Sequence, residues 1–462
     1  MPRSRNERLD ALLREAGWSR AQAASAFNRV ARENNLLCYG LIGRSHISMW
    51  VGGTKPTGEA PVILCQALSR RLKRMVTPGE LGFGVPTNAA PGALEWQVDP
   101  LITLVELGRT DLDAERRGLL AGAVYSAVSL ALPDRAWWQA MAQAPPLLTP
   151  VKPQRVGRGD VATVRELTSA FSRIDQRRGG GHGRKALVQY LRTDVVDLLQ
   201  GAFRSDEARR EMYSAAGELC YLIGWMAFDN SEHALAQRYF ALAVKLAARS
   251  GDDPLSGHIL RAMAHQAIDL GACRQGLDLA AASVDGRRYS SATPRERALL
   301  GVVHARGLAA NGKKQAAARA LMKAEDDLAS ASDGIEEPDR TFFFGEASLA
   351  HETACTLRDL GDRDGAIRQF RRSVRMRGAA FRRTHAVTLG YLGAVQIADG
   401  SVEEACGTWS MVLDAMDEGI YSGRARQAVV DMRWQLSPYR HRRIACVTEL
   451  DARAGRYLSK VD

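Results

Sequence analysis

The chain of 462 residues is too long for one compact core, so two or three folding units are expected. Hydrophobic residues at 46% and charged residues at 25% are an ordinary soluble composition. The net charge of +11 is uneven: residues 1–85 carry 13 Lys/Arg against 6 Asp/Glu, a surplus of 7, without the basic amphipathic segment of a membrane-surface protein.

Taken in chain order, Asn6 to Ala16 places Leu9, Leu12 and Leu13 on one side of a first helix, which Gly17 and Trp18 close. Ser19-Arg20-Ala21-Gln22 has capping-box form and opens a second helix through Ala23, Ala24, Phe27 and Val30. Residues 31–43 are expected to form an inserted helix extension and loop. Gly43 to Trp50 predicts a third helix with Ile47 and Trp50 packed inward together. Arg44, Ser45, His46, Ser48 and Met49 then face outward, and Gly52-Gly53 with Pro56 beyond stops the helix. Val62, Ile63, Leu64, Ala67, Leu68 and Leu72 predict a fourth helix, followed by a short capped turn at Thr77–Leu81.

These elements carry a family likeness. Residues 1–82 resemble the Xre-type helix-turn-helix domain, whose recognition segment often reads R-S-x-I-S-x-W followed by G-x-x-P. Arg44, Ser45, Ile47, Ser48, Trp50, Gly53 and Pro56 match it. The resemblance implies a partner in double-stranded DNA. Arg44, Ser45 and Met49 would meet base edges in the major groove, with His46 and Ser48 nearer the phosphates. Ser19, Arg20, Gln22, Thr54 and Lys55 would hold the backbone. The chemistry fits: Arg binds guanine bidentately, Met offers apolar contact to a thymine methyl, and Lys and helix N-termini bind phosphate. The gap from Ser19 to Arg44 exceeds the compact connection of that family, which leaves the docking angle open.

Residues 83–100, with Pro86, Pro91, Gly92 and Pro100, read as a linker. Residues 101–132 are expected to be helical, and Pro133 to Pro153 form a second Pro-rich stretch, so residues 83–160 separate the first domain from the long C-terminal region. Arg116-Arg117 and the apolar run to Leu132 imitate a twin-arginine export signal, but they come after a complete domain and read as a buried helix. Met1 to Arg20 is charged throughout, so no export signal is expected there.

From about residue 160 the chain reads as helix after helix. Small residues at Gly224, Ala264, Ala305, Ala354 and Gly393 are followed twelve positions later by Ala236, Gly276, Ala317, Ala366 and Ala405. Phe240, Ala280, Leu321, Phe370 and Trp409 stand next. Seven positions after the second set come Ala243, Ser283, Ala324, Ser373 and Val412. Short turns at Asp229-Asn230, Gly271, Asn311-Gly312, Gly361-Asp362 and Asp399-Gly400 split each unit in two. Small residues let two helices cross closely, and the larger residue plugs the next unit. The pattern resembles tetratricopeptide repeats, without the early Trp and closing Pro and with a period nearer 40 than 34. The expected fold is all-α: a helix-turn-helix domain (1–82), then an α-solenoid of degenerate tetratricopeptide-like repeats (161–423) closed by capping helices (424–462).

The arrangement resembles a class of actinobacterial regulators of development and antibiotic production. Lys supplies only 9 of the 63 basic residues, consistent with a high-GC genome. The resemblance implies a cytoplasmic transcriptional regulator, nucleoid-associated when bound. Its repeats would form a homodimer and sense a peptide, small molecule or protein partner. A helical-repeat scaffold with a vestigial helix-turn-helix, or a plasmid or phage maintenance protein, is the alternative. Seven scattered cysteines without a C-x-x-C suggest buried thiols in a reducing compartment.

Gly179-Gly180-Gly181-His182-Gly183-Arg184 reads first as a turn between helices. Gly180, Gly181, His182 and Arg184 are also a candidate effector or anion site. His351-Glu352-Thr353-Ala354-Cys355 has only half of a zinc-protease motif and reads as a buried helix. The basic run from Arg368 to Arg383 reads as a solvated helix face. No Ser/His/Asp or paired-carboxylate constellation stands out, so no enzyme, metal or cofactor is expected.

Overall fold

The computed structural model describes residues 5–33, 42–56, 60–72, 76, 80–83, 96–112, 125, 131–144, 154–332, 334–442 and 444–461. Three expectations fall largely outside them: the loop at 31–43 (34–41 outside), the linker at 83–100 (84–95 outside) and the apolar run after Arg116 (Tyr125, Ala131 and Leu132 apart). Of the Pro-rich stretch from Pro133 to Pro153, residues 145–153 lie outside, and the described part holds a helix at Arg135–Gln143. Of the turn expected at Thr77–Leu81, only Glu80 and Leu81 are described. Among the described residues the chain is all-α. The exception is a two-residue parallel strand pair, Arg155–Val156 beside Ala202–Phe203.

The N-terminal unit is built from α1 (Glu7–Glu15), α2 (Arg20–Glu33), α3 (Arg44–Val51) and α4 (Ala60–Leu72). Asn6 caps α1 by accepting the Leu9 N–H, and its amide donates to the Leu81 carbonyl at 2.7 Å. Its own N–H reaches the Val51 carbonyl at 2.8 Å, so one residue joins the start of α1 to the end of α3. Leu9, Leu13, Phe27, Ile47, Ile63 and Leu68 form a dry centre. Each such side chain contributes about 1.5–3 kcal/mol on burial. The Phe27 and Trp50 rings meet at 5.6 Å.

The chain then runs through α5 (Pro100–Leu112), α6 (Arg135–Gln143), α7 (Arg158–Arg178) and α8 (Arg184–Tyr190). A π-helical turn at Leu191–Val195 leads into α9 (Val196–Leu199). Five helical hairpins come next: α10 (Asp206–Asp229) with α11 (His233–Ser250), and α12 (Asp253–Asp269) with α13 (Cys273–Ser283). After the short α14 (Arg287–Ser290) come α15 (Pro294–Ala310) with α16 (Lys314–Ala329), α17 (Glu346–Asp359) with α18 (Arg363–Met376), and α19 (Arg382–Ala398) with α20 (Val402–Asp417). Helices α21 (Gly423–Leu436) and α22 (Ala445–Val461) pack on the last hairpin.

The small residues picked out by spacing lie at the hairpin crossings, all buried. A Cβ on Gly224 would come within 2.8 Å of Phe240, and one on Gly276 within 2.7 Å of Ile268. Either approach is closer than side-chain carbons tolerate. Gly271, Gly312, Gly361 and Gly400 turn the hairpins with positive φ, the conformation glycine adopts without penalty.

Each hairpin packs on the next, but the series also returns to its beginning. Helix α19 lies on α7, and the loop at Tyr421–Ser422 reaches the end of α10. Asp229, fully buried at that end, accepts from the Gly180 N–H (3.0 Å) and the Ser422 hydroxyl (3.0 Å) and faces Arg383 at 3.5 Å. Arg383 also holds Asp175 on α7 at 3.1 Å.

Candidate nucleic-acid interface

Helix α3 is rooted by its apolar side. Ile47 is fully buried, and Trp50 and Val51 are nearly so. Because residues three and four apart share a face, the remaining positions must look out. Arg44, Ser45, His46 and Met49 are all exposed, Met49 to 48%. Arg44 and Lys55 make no hydrogen bond or ion pair among the described residues.

Both ends of α3 are fixed by the backbone. At its start the Gly43 N–H donates to His46 Nδ1 at 3.2 Å, which leaves Nε2 of a neutral ring to carry the proton. At its end the Gly53 N–H bonds the Trp50 carbonyl (3.2 Å) and the Thr54 N–H bonds the Met49 carbonyl (3.0 Å), with Gly53 at φ +99°. This is the paired bonding of a Schellman stop, and it requires Gly at that position.

Helix α2 packs on α3 and opens with the expected capping box. The Gln22 N–H donates to Ser19 Oγ (3.3 Å), and the Ser19 N–H donates to Gln22 Oε1 (2.8 Å). Ser19 and Gln22 are exposed near one end of the outer face. Arg20 donates to Ser48 Oγ at 3.2 Å, so these two half-buried residues tie α2 to α3. Thr54 is half-buried and Lys55 exposed just beyond α3.

The long connection before Arg44 has an anchor that spacing did not disclose. Asn28, buried on α2, donates to the Ile42 carbonyl at 2.8 Å and accepts from the Ile42 N–H at 3.0 Å. Two hydrogen bonds from one amide fix the approach to α3 whatever path residues 34–41 take. The local signal was a single Asn on an otherwise apolar helix face.

The Gly-rich stretch has a different geometry from an anion cradle. Gly180 gives its N–H to Asp229, and the Gly181 N–H bonds the Tyr421 carbonyl at 3.1 Å. Arg184 is buried between Asp111 (2.6 Å) and Glu232 (3.0 Å), and Tyr239 donates to the same Asp111 at 3.0 Å. The candidate anion site at Gly180, Gly181, His182 and Arg184 is thereby corrected to a packing joint: Gly180, Gly181 and Arg184 give their donors to the protein's own carboxylates and carbonyls, and Gly181 and His182 face solvent. A Cβ on Gly180 would run into the Met226 backbone, which is the reason for glycine there.

Other motifs are also absorbed by packing. His351 lies buried against Thr388 (3.0 Å) and Cys355 (3.7 Å). In the basic run, Arg371 pairs with Glu404 (2.6 Å), Arg372 with Glu346 (2.7 Å) and Arg382 with Glu418, while Arg368 and Arg375 remain exposed. No group of three metal-ligating side chains occurs among the described residues. No helix among them is long and apolar enough to cross a membrane.

Residues 9–84 match the family described as the SP15 N-terminal domain, a span that contains nearly all of α1 and the whole of α2 to α4. No curated protein matches the chain.

Proposed function

We propose that the protein is a sequence-specific DNA-binding transcriptional regulator, of the kind that controls development or secondary metabolism. In this reading residues 1–82 are a helix-turn-helix domain that lays α3 in the major groove. Arg44, Ser45 and Met49 read base edges. His46 and Ser48, with Ser19, Arg20, Gln22, Thr54 and Lys55, set the register on phosphates. The hairpins act as a degenerate tetratricopeptide-like solenoid that forms a homodimer and senses an effector. A dimer places two recognition helices about 34 Å apart on a palindromic site.

The observation that carries the reading is the outer face of α3. An arginine, a serine, a histidine and a methionine stand exposed on a helix whose other side is locked into a core and whose two ends are fixed. Such rigidity is what base readout requires, because bidentate contacts tolerate little misplacement. Gel-shift titrations over a salt series test it. Arg44→Ala is expected to lose sequence preference, while Lys55→Ala weakens all sequences alike. Unchanged binding by both variants would remove the reading.

A further inference from the structure

A cavity of about 650 Å³ opens between α7, α10 and the segments at 291–296 and 336–343. That size suits an organic ligand of modest mass rather than a single ion. Six carboxylates line it against two guanidiniums, a surplus of four negative charges. Its two strongest ion-pair systems are closed on themselves. Arg340 is held by Glu218 at 2.9 Å and Glu296 at 2.7 Å, and Arg383 is shared between Asp175 and Asp229.

Asp175 is the exception. It is 1% exposed and lines the cavity, and its Oδ2 meets Arg383 while its Oδ1 is buried with no hydrogen-bond partner. A buried carboxylate oxygen left unpaired loses its hydration without compensation, so the site favours a donor that can reach it. Aromatic rings line it nearby: Tyr221 and Trp225 are ring neighbours at 6.3 Å, and Phe343 lines the same cavity. Behind them the buried Arg261 guanidinium lies 5.9, 5.5 and 6.0 Å from the Tyr221, Trp225 and Phe343 ring centres.

We propose that this cavity binds an organic cation: one primary ammonium or guanidinium on an apolar or aromatic body. The N–H groups would donate to Asp175 Oδ1, and the body would rest against Tyr221, Trp225 and Phe343. Burial pushes the Asp175 carboxyl up to about 6, and burial likewise raises Glu218. A bound cation relieves that penalty, since it favours the ionised form of both. The inference deepens the sensing role proposed above and rests on it only for the relay to DNA; the binding event stands alone.

Isothermal titration of the full chain with matched probes tests it. Phenethylamine is compared with 2-phenylethanol, and the peptide Phe-Gly-Gly with its N-acetyl form. At least one amine of the two pairs is expected to bind roughly tenfold or more tightly than its neutral partner. Preference within the first pair alone points to a small-molecule amine, and within the second to a peptide amino terminus. Asp175→Asn keeps an acceptor for Arg383 and is expected to abolish the preference. Ser169→Trp fills the cavity without touching that ion pair and is expected to abolish binding. If neither amine binds better than its neutral partner, or if both variants bind like the parent, the inference is overturned. That result leaves DNA binding untouched, whereas loss of DNA binding with amine binding intact overturns only the regulator.

Discussion

In the N-terminal unit the cations Arg44 and Lys55 meet solvent without a partner among the described residues. In the C-terminal region Arg184, Arg306 and Arg383 lie buried and Arg340 half-buried, each against at least two carboxylates. Both regions are rich in arginine, yet the same side chain does opposite things in them. Where helices are short and few, a dry core of Leu, Ile, Phe and Trp suffices, and the charges remain outside, on the face where the proposed DNA would lie. Where long hairpins close back on their own start, buried ion pairs fix which helices meet. Such pairs are costly to break because the surviving charge stays desolvated.

Breaking the closure should show the largest effect. Asp229→Ala removes the acceptor shared by Arg383, Ser422 and Gly180, and about 3–5 kcal/mol of hairpin stability is expected to be lost in urea unfolding. Arg44→Ala, on the other side of the comparison, is expected to leave that transition within about 0.5 kcal/mol.

Acid should separate the regions as well. Burial first, then nearby arginines, hold His233, His258 and His351 neutral with pKa values of about 3, against an ordinary 6.5. The unfolded chain therefore binds more protons below pH 6.5, and hairpin stability falls as pH drops from there toward 3. Asp175, raised to about 6, acts in the opposite sense and offsets one of the three. The expected net loss is on the order of 1–3 kcal/mol per pH unit below 6, read by thermal unfolding followed in the hairpin region. A stability that is flat from pH 7 to 5 would contradict it.

Smaller effects probe the packing and the interface. Gly224→Val presses into Phe240 and is expected to cost about 1–3 kcal/mol. Arg44→Ala is expected to reduce discrimination between specific and random DNA by about 1–3 kcal/mol, and Lys55→Ala to lower the salt dependence of binding by about one phosphate contact.

Much of this architecture is legible in the sequence because its signals are local. The i,i+3 spacing of Ile47 and Trp50, the Ser19–Gln22 box and the glycine stop give α3 and its outer face. The small residues at Gly224, Gly276 and Gly393 give the hairpin crossings. The hidden part is set by distance along the chain. Asn28 holds Ile42 across a loop of unremarkable composition. Arg383 meets Asp175 from 208 positions away, which no periodicity encodes. The Gly179–Gly181 run resembles a phosphate cradle because glycine serves both uses, and only the approach of Tyr421 and Met226 decides between them.

Selection of binding sites from a random duplex library by the parent and by Arg44→Ala tests the central claim most directly. The parent is expected to enrich a palindromic motif with half-sites about one helical turn apart, and Arg44→Ala to lose preference at defined positions within each half. An unenriched library, or the same motif recovered equally by both proteins, would contradict DNA readout by α3.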